Sequence, residues 1–374
     1  MLRESDMLCF NKIKKKVNSS TEKEKIMYPK TKQLILAKLE EGYYPGVVGA
    51  FINQDQVETF SAGYAQIIPE VQLMEKDLLF DAASLTKVIA TTSLVLRLWE
   101  DGKIALDAPL HHYLPAFENR EITLRHLLTH TSNIQTWIPN RDQLSQDQLI
   151  KAYLKLQPGE QLGQIVKYTD AGTILLGFML EEIFQEPAID LFQDQVLTPL
   201  EMMNSTFLPY PSKKIVPTQQ LSSGEILRGI THDPKARILA EHAGNAGLFI
   251  DLEDSIKFAK MYLNLGKTKN GRFLEEKTIQ SLLKDQTPNQ AGNRSLGWDL
   301  KKGIEQQQPI LFHTGYTGTF LLIDVSEQEA FIFLSNRIHP VDDRVAYISC
   351  RDEIVENFLK EKSLLKKRCY NNYE

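Results

Sequence analysis

The segment that decides the interpretation of this sequence is Phe80-Asp81-Ala82-Ala83-Ser84-Leu85-Thr86-Lys87. An apolar helical pattern follows over about residues 85–101, and Gly102 takes the place after the last turn where helices commonly end. Ser84 and Lys87, three residues apart, share one face of that helix, where the lysine amine can take the hydroxyl proton. Because Ser84 opens the helix, the helix dipole would also favour a developing oxyanion beside it.

The serine–lysine spacing is weak evidence by itself, because chance supplies it readily. It occurs four times in this chain, as Ser20/Lys23, Ser84/Lys87, Ser281/Lys284 and Ser363/Lys366. The first and last pairs lie in charged terminal segments, and the third lies in an ordinary polar helical stretch. Only Ser84 opens an apolar helix. The alternative at this point is structural: Ser84 caps the helix and Lys87 extends its ammonium into solvent.

Two downstream segments carry polar groups that could act with this pair. One is Tyr168-Thr169-Asp170-Ala171-Gly172, which precedes a predicted helix over residues 173–184. The other is His313-Thr314-Gly315-Tyr316-Thr317-Gly318-Thr319-Phe320, at the edge of a predicted strand. The choice between the structural and the functional interpretation of Ser84 depends on these two segments.

Taken in this order, the three segments resemble the active-site motifs of the class C β-lactamase and DD-peptidase family of serine hydrolases. The connecting sequence resembles the same family at residues 127–132, 198–202, 232–234, 244–249 and 335–337. The resemblance covers about residues 46–357. It implies an α+β protein of the β-lactamase/transpeptidase-like fold, with an antiparallel sheet, flanking helices, a helical lobe, and the site between sheet and lobe.

The resemblance also implies the catalytic roles. Ser84 is the nucleophile, and Lys87 and Tyr168 share the role of general base. A lysine amine and a phenol both have reference pKa values of ~10, so they must be poised by one another and by partial burial. Which of the two holds the proton stays open. The backbone N–H groups of Ser84 and Tyr316 would form the oxyanion hole.

Substrate binding is implied for four further residues, Asp170, His313, Thr314 and Gly315. The strand edge after His313 would pair with the substrate's own backbone. A glycine at position 315 suits that close approach. The resemblance implies no cofactor and no metal.

Two of these positions depart from the usual family pattern, which argues against an efficient β-lactamase. Asp170 stands where the simplest second motif has asparagine, and His313 stands where β-lactamases usually have lysine. A histidine with a reference pKa of ~6.5 is mostly neutral at pH 7.5, and Asp170 adds a negative charge that can also favour the imidazolium. We therefore predict that neutral esters outperform anionic penicillins, and that the preference for anions rises as pH falls from 8 to 6.

The predicted reaction is acyl transfer through a Ser84 ester, on an amide or ester such as a D-Ala-D-Ala-like peptide, a small ester or a β-lactam. The alternative is a penicillin-binding or sensor module that its ligand acylates without turnover. The expected partner is a small-molecule or peptide substrate. The sequence leaves the oligomeric state open.

Strands are predicted at both ends of the globular region and helices between them. The predicted strands are residues 47–52, 57–61, 312–314, 319–324 and 330–335. Terminal helices are predicted at about residues 30–41 and 343–360. We expect one hydrolase domain, residues 27–374, in which a helical lobe at about residues 107–235 separates the two parts of one sheet.

Composition limits the classes of function. The 374 residues include 43 Lys+Arg and 48 Asp+Glu, and the net charge of −5 gives no electrostatic reason to bind nucleic acid or an anionic membrane. Cys9, Cys350 and Cys369 form neither a disulfide framework nor a zinc spacing. Residues 1–26 are predicted to be a flexible basic tail. Since no signal peptide or transmembrane stretch is visible, the sequence as written predicts a cytoplasmic location, and an extracytoplasmic location stays open as the alternative.

Other candidate groups are interpreted as structural. His126 and His130 are four residues apart, but the glutamate of a zincin is absent between them, so we expect local hydrogen bonds rather than a metal site. The small residues 244–247 lack the Lys-Ser/Thr of a phosphate loop and indicate close backbone packing. Asn133 suits a left-handed turn.

Overall fold

The computed structural model describes residues 27–290, 292–304 and 309–371, with the side chains of the last helix described as far as residue 367. The predicted basic tail, residues 1–26, lies outside these ranges. Within them, every helix is too short or too polar to cross a lipid bilayer.

Twelve strands are described. They are β1 (Gly46–Asn53), β2 (Gln56–Gln66), β3 (Gln72–Leu73), β4 (Phe80–Asp81), β5 (Thr206–Phe207), β6 (Leu248–Ile250), β7 (Lys267–Thr268), β8 (Gly271–Arg272), β9 (Asp299–Lys301), β10 (Ile310–Gly315), β11 (Thr319–Asp324) and β12 (Glu329–Ser335). Seven of these form one antiparallel sheet in the order β3-β2-β1-β12-β11-β10-β9. A second sheet has the order β4-β6-β5.

The helices alternate with loops through the middle of the chain. They are α1 (Pro29–Glu40), α2 (85–100, with a π-helical part Lys87–Thr92 and an α-helical part Ser93–Glu100), α3 (Leu110–Tyr113), α4 (Leu124–Leu128), α5 (Gln146–Leu154), α6 (Ala171–Phe184), α7 (Ala188–Phe192), α8 (Pro234–Leu239), α9 (Leu252–Leu263), α10 (Glu276–Leu282) and α11 (Arg344–Asn371). Short 3-10 or π-helical turns also occur at Arg141–Gln143, Gln193–Leu197 and Ala240–His242.

The two ends of the chain close the large sheet, as the sequence predicted. β1 pairs with β12 along its length, from Val47 opposite Ser335 to Asn53 opposite Glu329. Both strands are almost wholly buried, so each contributes apolar side chains to both faces of the sheet.

Each face of the large sheet packs against helices. Val47 and Phe51 of β1 belong to a core cluster with Ile35 of α1 and Phe358 of α11. The alternate residues of β1, including Val48, belong to a larger cluster that contains most of the central helices. The sheet is therefore a central layer, and the helices on its second face carry the residues that meet β10.

Several predicted boundaries differ from those observed. The sequence pattern predicts a helix over residues 122–130, but the observed helix is limited to α4, because a capping box at Thr123 starts it late and His130 has a left-handed φ of 55°. The last helix extends to Asn371 rather than 360. Helices also continue beyond residue 235, and α9 packs on the sheet itself. The bounds of the helical lobe, about 107–235, stay a prediction.

Candidate active site

The segment that precedes Ser84 is anchored by the small sheet. β4 (Phe80–Asp81) pairs with β6, and the chain then turns through Ala83. The φ of Ala83 is 46°, in the left-handed region that residues with a side chain rarely occupy. Lys87 N donates to Ser84 O at 3.0 Å, so Ser84 lies in the first turn of α2. This confirms the predicted position of the serine at the start of an apolar helix.

The Lys87 side chain points into the protein and is 1% exposed. Its Nζ donates to Ser84 Oγ at 2.8 Å and to Asn245 O at 2.9 Å, and it pairs with Asp170 Oδ1 at 2.8 Å. The alternative in which this lysine extends into solvent is therefore wrong. Burial alone would lower the pKa of Lys87, but the Asp170 carboxylate outweighs burial and the net pKa is raised. The lysine is an ammonium ion at neutral pH.

Asp170 directly precedes α6, yet its side chain does not cap that helix. Its two carboxylate oxygens face two ammonium groups, Lys87 Nζ at 2.8 Å and Lys235 Nζ at 3.0 Å. Burial would raise the pKa of Asp170, but the two cations hold it below its usual range. The negative charge that the sequence interpretation set against an anionic substrate is thus offset by two positive charges.

Lys235 completes a closed ring of ion pairs and hydrogen bonds. Its Nζ lies 3.0 Å from Asp170 Oδ2 and 2.7 Å from Asp233 Oδ2. Asp233 Oδ1 accepts a hydrogen bond from Asn245 Nδ2 at 3.2 Å, and the Asn245 carbonyl accepts from Lys87. We call these five residues, Lys87, Asp170, Lys235, Asp233 and Asn245, the lysine–aspartate ring.

Tyr168 lies beside the ring with almost half of its surface exposed (47%). Two cations approach its aromatic ring, Lys87 Nζ at 5.5 Å and Arg294 Cζ at 5.9 Å from the centroid. The imidazoles of His130 and His313 lie at centroid distances of 4.4 and 6.2 Å. The fold therefore brings the phenol, the lysine and His313 together, as the sequence predicted.

His313 is buried in β10, with its ring 6.4 Å from that of Trp298. Burial, reinforced by the positive charges of Arg294 and Lys87, lowers the pKa of His313 well below its ordinary value. The imidazole therefore stays neutral between pH 8 and pH 6. The expectation that anion preference rises over this range depends on His313 gaining a proton, and the burial of the imidazole argues against it.

Tyr316 is held by contacts on several sides. Its hydroxyl donates to Asp342 Oδ2 at 2.5 Å, and its carbonyl accepts from Arg337 Nε at 2.8 Å. The His232 imidazole stacks on the phenol ring, with centroids 5.4 Å apart and planes at 15°. The backbone amide predicted to act in the oxyanion hole thus belongs to a firmly held residue.

Two threonine hydroxyls join the β10–β11 turn to the segment that precedes Ser84. Thr317 Oγ1 donates to Asp81 O at 2.7 Å, and Thr319 Oγ1 donates to Ala82 O at 3.2 Å. Both contacts are buried. The two chain segments that carry the predicted oxyanion-hole amides are therefore tied together directly.

The Asp81 carboxylate adds a third tie. Its Oδ1 accepts from Ala83 N at 2.8 Å and its Oδ2 accepts from His232 N at 2.7 Å. The side chain is buried, and this burial raises the pKa of Asp81 to about 6 even though both hydrogen bonds lower it. Asp81 thus holds the strained turn before Ser84 against the His232 loop.

β10 extends beyond the end of β9, the strand at the edge of the large sheet. Residues 310–312 pair with β9, whereas residues 313–315 pair, among the described strands, with β11 alone. A methyl group on Gly315 would lie 2.5 Å from Ala82 O and 2.1 Å from Thr319 Oγ1. The sequence interpretation attributed this glycine to the approach of a substrate, but the structure shows that packing between two protein segments already requires it. Thr314 lies on the open edge and is partly exposed.

Four residues of the site escaped the sequence interpretation: Asp81, Lys235, Asn245 and Arg294. Lys235 had a local signal, because it follows Pro234 in the first turn of α8, where the helix dipole disfavours a cation. A lysine in that position indicates an acidic partner nearby. Asp81 and Arg294 had no such signal, because the contacts that bring them into the site, His232 N to Asp81 Oδ2 and the Arg294 guanidinium over the Tyr168 ring, join residues far apart in the sequence.

The two candidate metal histidines have structural contacts instead. His126 closes the capping box with Thr123, and His130 Nδ1 accepts from Thr169 N at 3.4 Å. In the described part of the chain, no group of three or more His, Cys, Asp or Glu residues could hold a metal ion. The interpretation of these histidines as groups that satisfy local hydrogen bonds is confirmed.

Two backbone expectations are also confirmed. Asn133 has a left-handed φ of 46°. A methyl group on Gly244 would lie 2.2 Å from Thr173 O and 3.1 Å from Gly177 Cα, so the small-residue run allows two backbones to approach closely. It also brings the Asn245 carbonyl to Lys87.

The geometry agrees with the comparisons to known proteins. The family model described as Beta-lactamase matches residues 31–351. The chain belongs to the beta-lactamase family. A solved class C beta-lactamase superimposes with a TM-score of 0.70 at 18% identity, covering 89% of this chain and 98% of the other, which confirms the α+β β-lactamase/transpeptidase-like fold.

Two relatives give the family a chemical context. The chain is 25% identical to "N-acetylmuramyl-L-alanine amidase" of Bacillus subtilis (strain 168), over 84% of this chain and 82% of the relative. It is 24% identical to "Putative D-alanyl-D-alanine carboxypeptidase" of Salmonella typhimurium, over 70% of both chains. As a member of this beta-lactamase family, the protein is a serine hydrolase of the acyl-transfer type.

Proposed function

We propose that this beta-lactamase family member hydrolyses an amide or ester through a covalent acyl-enzyme on Ser84. The observation that carries the proposal is the 2.8 Å hydrogen bond from Lys87 Nζ to Ser84 Oγ, made by a lysine that is otherwise held by Asp170 and Asn245 O. A positioned donor on the hydroxyl fixes its direction of attack before substrate arrives.

The raised pKa of Lys87 supports one assignment of the proton transfer in this proposal. Because Lys87 stays an ammonium ion, it orients Ser84 and stabilises negative charge on Oγ rather than removing the proton. Tyr168, in its deprotonated form, then accepts the proton as Oγ bonds to the substrate carbonyl carbon. The same phenol returns the proton to the leaving amine or alkoxide. A water molecule subsequently breaks the Ser84 ester and releases the acid.

The oxyanion of the tetrahedral intermediate would lie between the backbone amides of Ser84 and Tyr316. The Thr317 and Thr319 hydroxyls support this role by tying together the segments that carry the two amides. Two fixed backbone donors lower the barrier most when they need no reorganisation during the reaction.

The open edge of β10 supports a peptide as the substrate in this proposal. Residues 313–315, which among the described strands pair with β11 alone, can pair with an extended peptide, and Thr314 lies within that edge. We propose a peptide with a D-Ala-D-Ala-like end as the substrate, with small esters and β-lactams as smaller acyl donors. The relative named for D-alanyl-D-alanine supports this class of substrate.

A labelling experiment tests the nucleophile. A fluorophosphonate or a fluorescent penicillin should add one mass to the protein, on the peptide that contains Ser84. Ser84→Ala should abolish the label. The control is Ser281→Ala, which should leave the label intact, because Ser281 also has a lysine three residues later but lies outside the site. Label that persists in Ser84→Ala contradicts the proposal.

Turnover distinguishes the hydrolase from the acylated module. Continued release of product from a p-nitrophenyl ester or a D-Ala-D-Ala peptide identifies an enzyme. A single stoichiometric burst, with no later release, identifies a penicillin-binding or sensor module that does not deacylate.

A further inference from the structure

Lys235 is the member of the lysine–aspartate ring that lies opposite Lys87: it pairs with Asp170 on one side and with Asp233 on the other. Its side chain is 15% exposed and its ammonium lies between Asp170 and Asp233. Burial would lower the pKa of Lys235, but the two carboxylates raise it, so it is a cation. The ring therefore contains two positive and two negative charges.

We propose that Lys235 is a positioning residue: it holds the Asp170 carboxylate in the orientation in which Asp170 pairs with Lys87. Lys235 pairs with Asp170 Oδ2, which leaves Oδ1 directed toward Lys87. Its positive charge also offsets the negative charge that an aspartate has at this position and an asparagine lacks. The inference rests on the proposed role of Lys87 in orienting Ser84.

The charge balance is the first argument for this assignment. Without Lys235, Asp170 and Asp233 would lose the ammonium group that lies between them, and Lys87 would be the one cation left in the ring for two half-buried carboxylates. An uncompensated buried charge is costly, and the structure relieves it by moving side chains or by admitting water. Either response would draw Lys87 away from Ser84 Oγ.

The geometry of the carboxylate is the second argument. A carboxylate can accept from both oxygens, and in Asp170 one ammonium group occupies each. Asp170 is not restrained by the helix that it precedes, because it makes no side-chain cap bond. Its orientation is therefore set by the two lysines. Lys235, through its pairing with Oδ2, thus fixes the direction from which Oδ1 holds Lys87.

The third argument is the second connection of Lys235. Asp233 caps α8 through a hydrogen bond from Ala236 N at 2.9 Å and accepts from Asn245 Nδ2. Asn245 O in turn accepts from Lys87. Lys235 thus acts on Lys87 through two paths, one through Asp170 and one through Asp233.

The test measures Ser84 acylation by a fluorophosphonate, with Lys235→Met as the main variant. A misplaced catalytic geometry commonly costs up to ~10²-fold in rate, so we expect a ten- to 100-fold slower acylation. Lys235→Arg should recover most of the rate, because it restores the cation. The matched control is Lys257→Met, which removes a lysine that pairs with Asp254 at 2.8 Å in α9, outside the ring, and should acylate normally.

The double variant Asp170→Asn/Lys235→Met separates a positioning role from a merely structural one. An asparagine still offers Lys87 an oxygen but brings no charge that needs Lys235, so the double variant should acylate at least fivefold faster than Lys235→Met. The rate–pH profile of Lys235→Met should also move to higher pH, because a positive charge beside the proton-transferring groups is lost.

Two results would overturn the assignment: wild-type acylation rates in Lys235→Met, or a double variant no faster than Lys235→Met. Thermal melting of each variant shows whether a slow rate reflects unfolding, and Lys235→Arg keeps the test valid if the methionine variant does not fold. If the wild-type protein itself is not labelled at Ser84, the proposed function fails instead.

Discussion

The hydroxyl of Thr317 donates a hydrogen bond to the carbonyl of Asp81 at 2.7 Å, in the protein interior. The two residues are 236 positions apart in the chain. Asp81 lies three residues before Ser84, and Thr317 directly follows Tyr316. This side-chain contact, together with that from Thr319 to Ala82 O, ties together the two segments whose backbone amides are proposed to bind the oxyanion.

Thr317→Val should remove this contact while it keeps the shape of the side chain. We expect kcat/KM to fall about tenfold, mainly through kcat, because a net hydrogen bond contributes about 1 kcal/mol and here it aligns a transition-state contact. Thr317→Ser, which keeps the hydroxyl, should retain most of the activity in the same ester assay. An unchanged kcat in Thr317→Val would show that the contact does not align the site.

Lys87→Ala and Tyr168→Phe should each slow acylation by ~10²-fold or more, because each removes a group that handles charge or a proton at Ser84. Stopped-flow measurement with a fluorescent penicillin gives the acylation rate directly. Tyr210→Phe is the matched control, since Tyr210 is 94% exposed. A Tyr168→Phe variant as fast as the wild type would exclude the phenol from proton transfer.

The buried imidazole of His313 should remain neutral from pH 8 to pH 6, because its pKa is lowered well below its ordinary value by burial and by nearby cations. The His313 ring resonances, assigned with His313→Gln, should keep constant chemical shifts over this range. The kcat/KM ratio for an anionic over a neutral substrate should likewise stay flat. A shift that titrates near pH 6.5 would contradict the described burial.

The Asp81 carboxyl should make stability depend on pH in an unusual direction. Its pKa in the folded protein, raised by burial to about 6, exceeds that of an unfolded aspartate, so the folded state binds the proton more tightly. The contribution of Asp81 to the free energy of unfolding therefore increases as pH falls from above 6 toward 4, by at most about 3 kcal/mol.

Urea unfolding of the wild type and Asp81→Asn at several pH values measures this contribution as a difference. The wild type should gain stability relative to the variant as pH falls through 6. A difference that is constant between pH 7 and pH 4 would show that Asp81 has an ordinary pKa.

Gly244→Ala should destabilise the fold, because the new methyl group would lie 2.2 Å from Thr173 O and near the Gly177 backbone. Backbone atoms cannot move aside cheaply, so we expect a loss of about 3 kcal/mol. Gly224→Ala is the control: its added methyl meets nothing within 4 Å, and only its positive φ of 89° costs about 1 kcal/mol. Equal losses in both variants would contradict the packing argument.

The sequence by itself determined the elements that depend on neighbours in the chain. The apolar pattern after Ser84 predicted the helix that presents it, and the alternating residues at both chain ends predicted the strands that close the sheet. Three short motifs in a fixed order were sufficient to identify the family, because each is a local arrangement of a few residues.

Only the tertiary structure decided the charge states of the site. Lys87 pairs with Asp170, and Asp170 pairs with Lys235, residues that lie 83 and 148 positions beyond Lys87 in the chain. The neutrality of His313 depends on its burial and on Arg294. Ion pairs and desolvation act through space, whereas the periodicity of a sequence reports only on neighbours along the chain. The fold could therefore be predicted from the sequence, but the protonation states on which the chemistry depends could not.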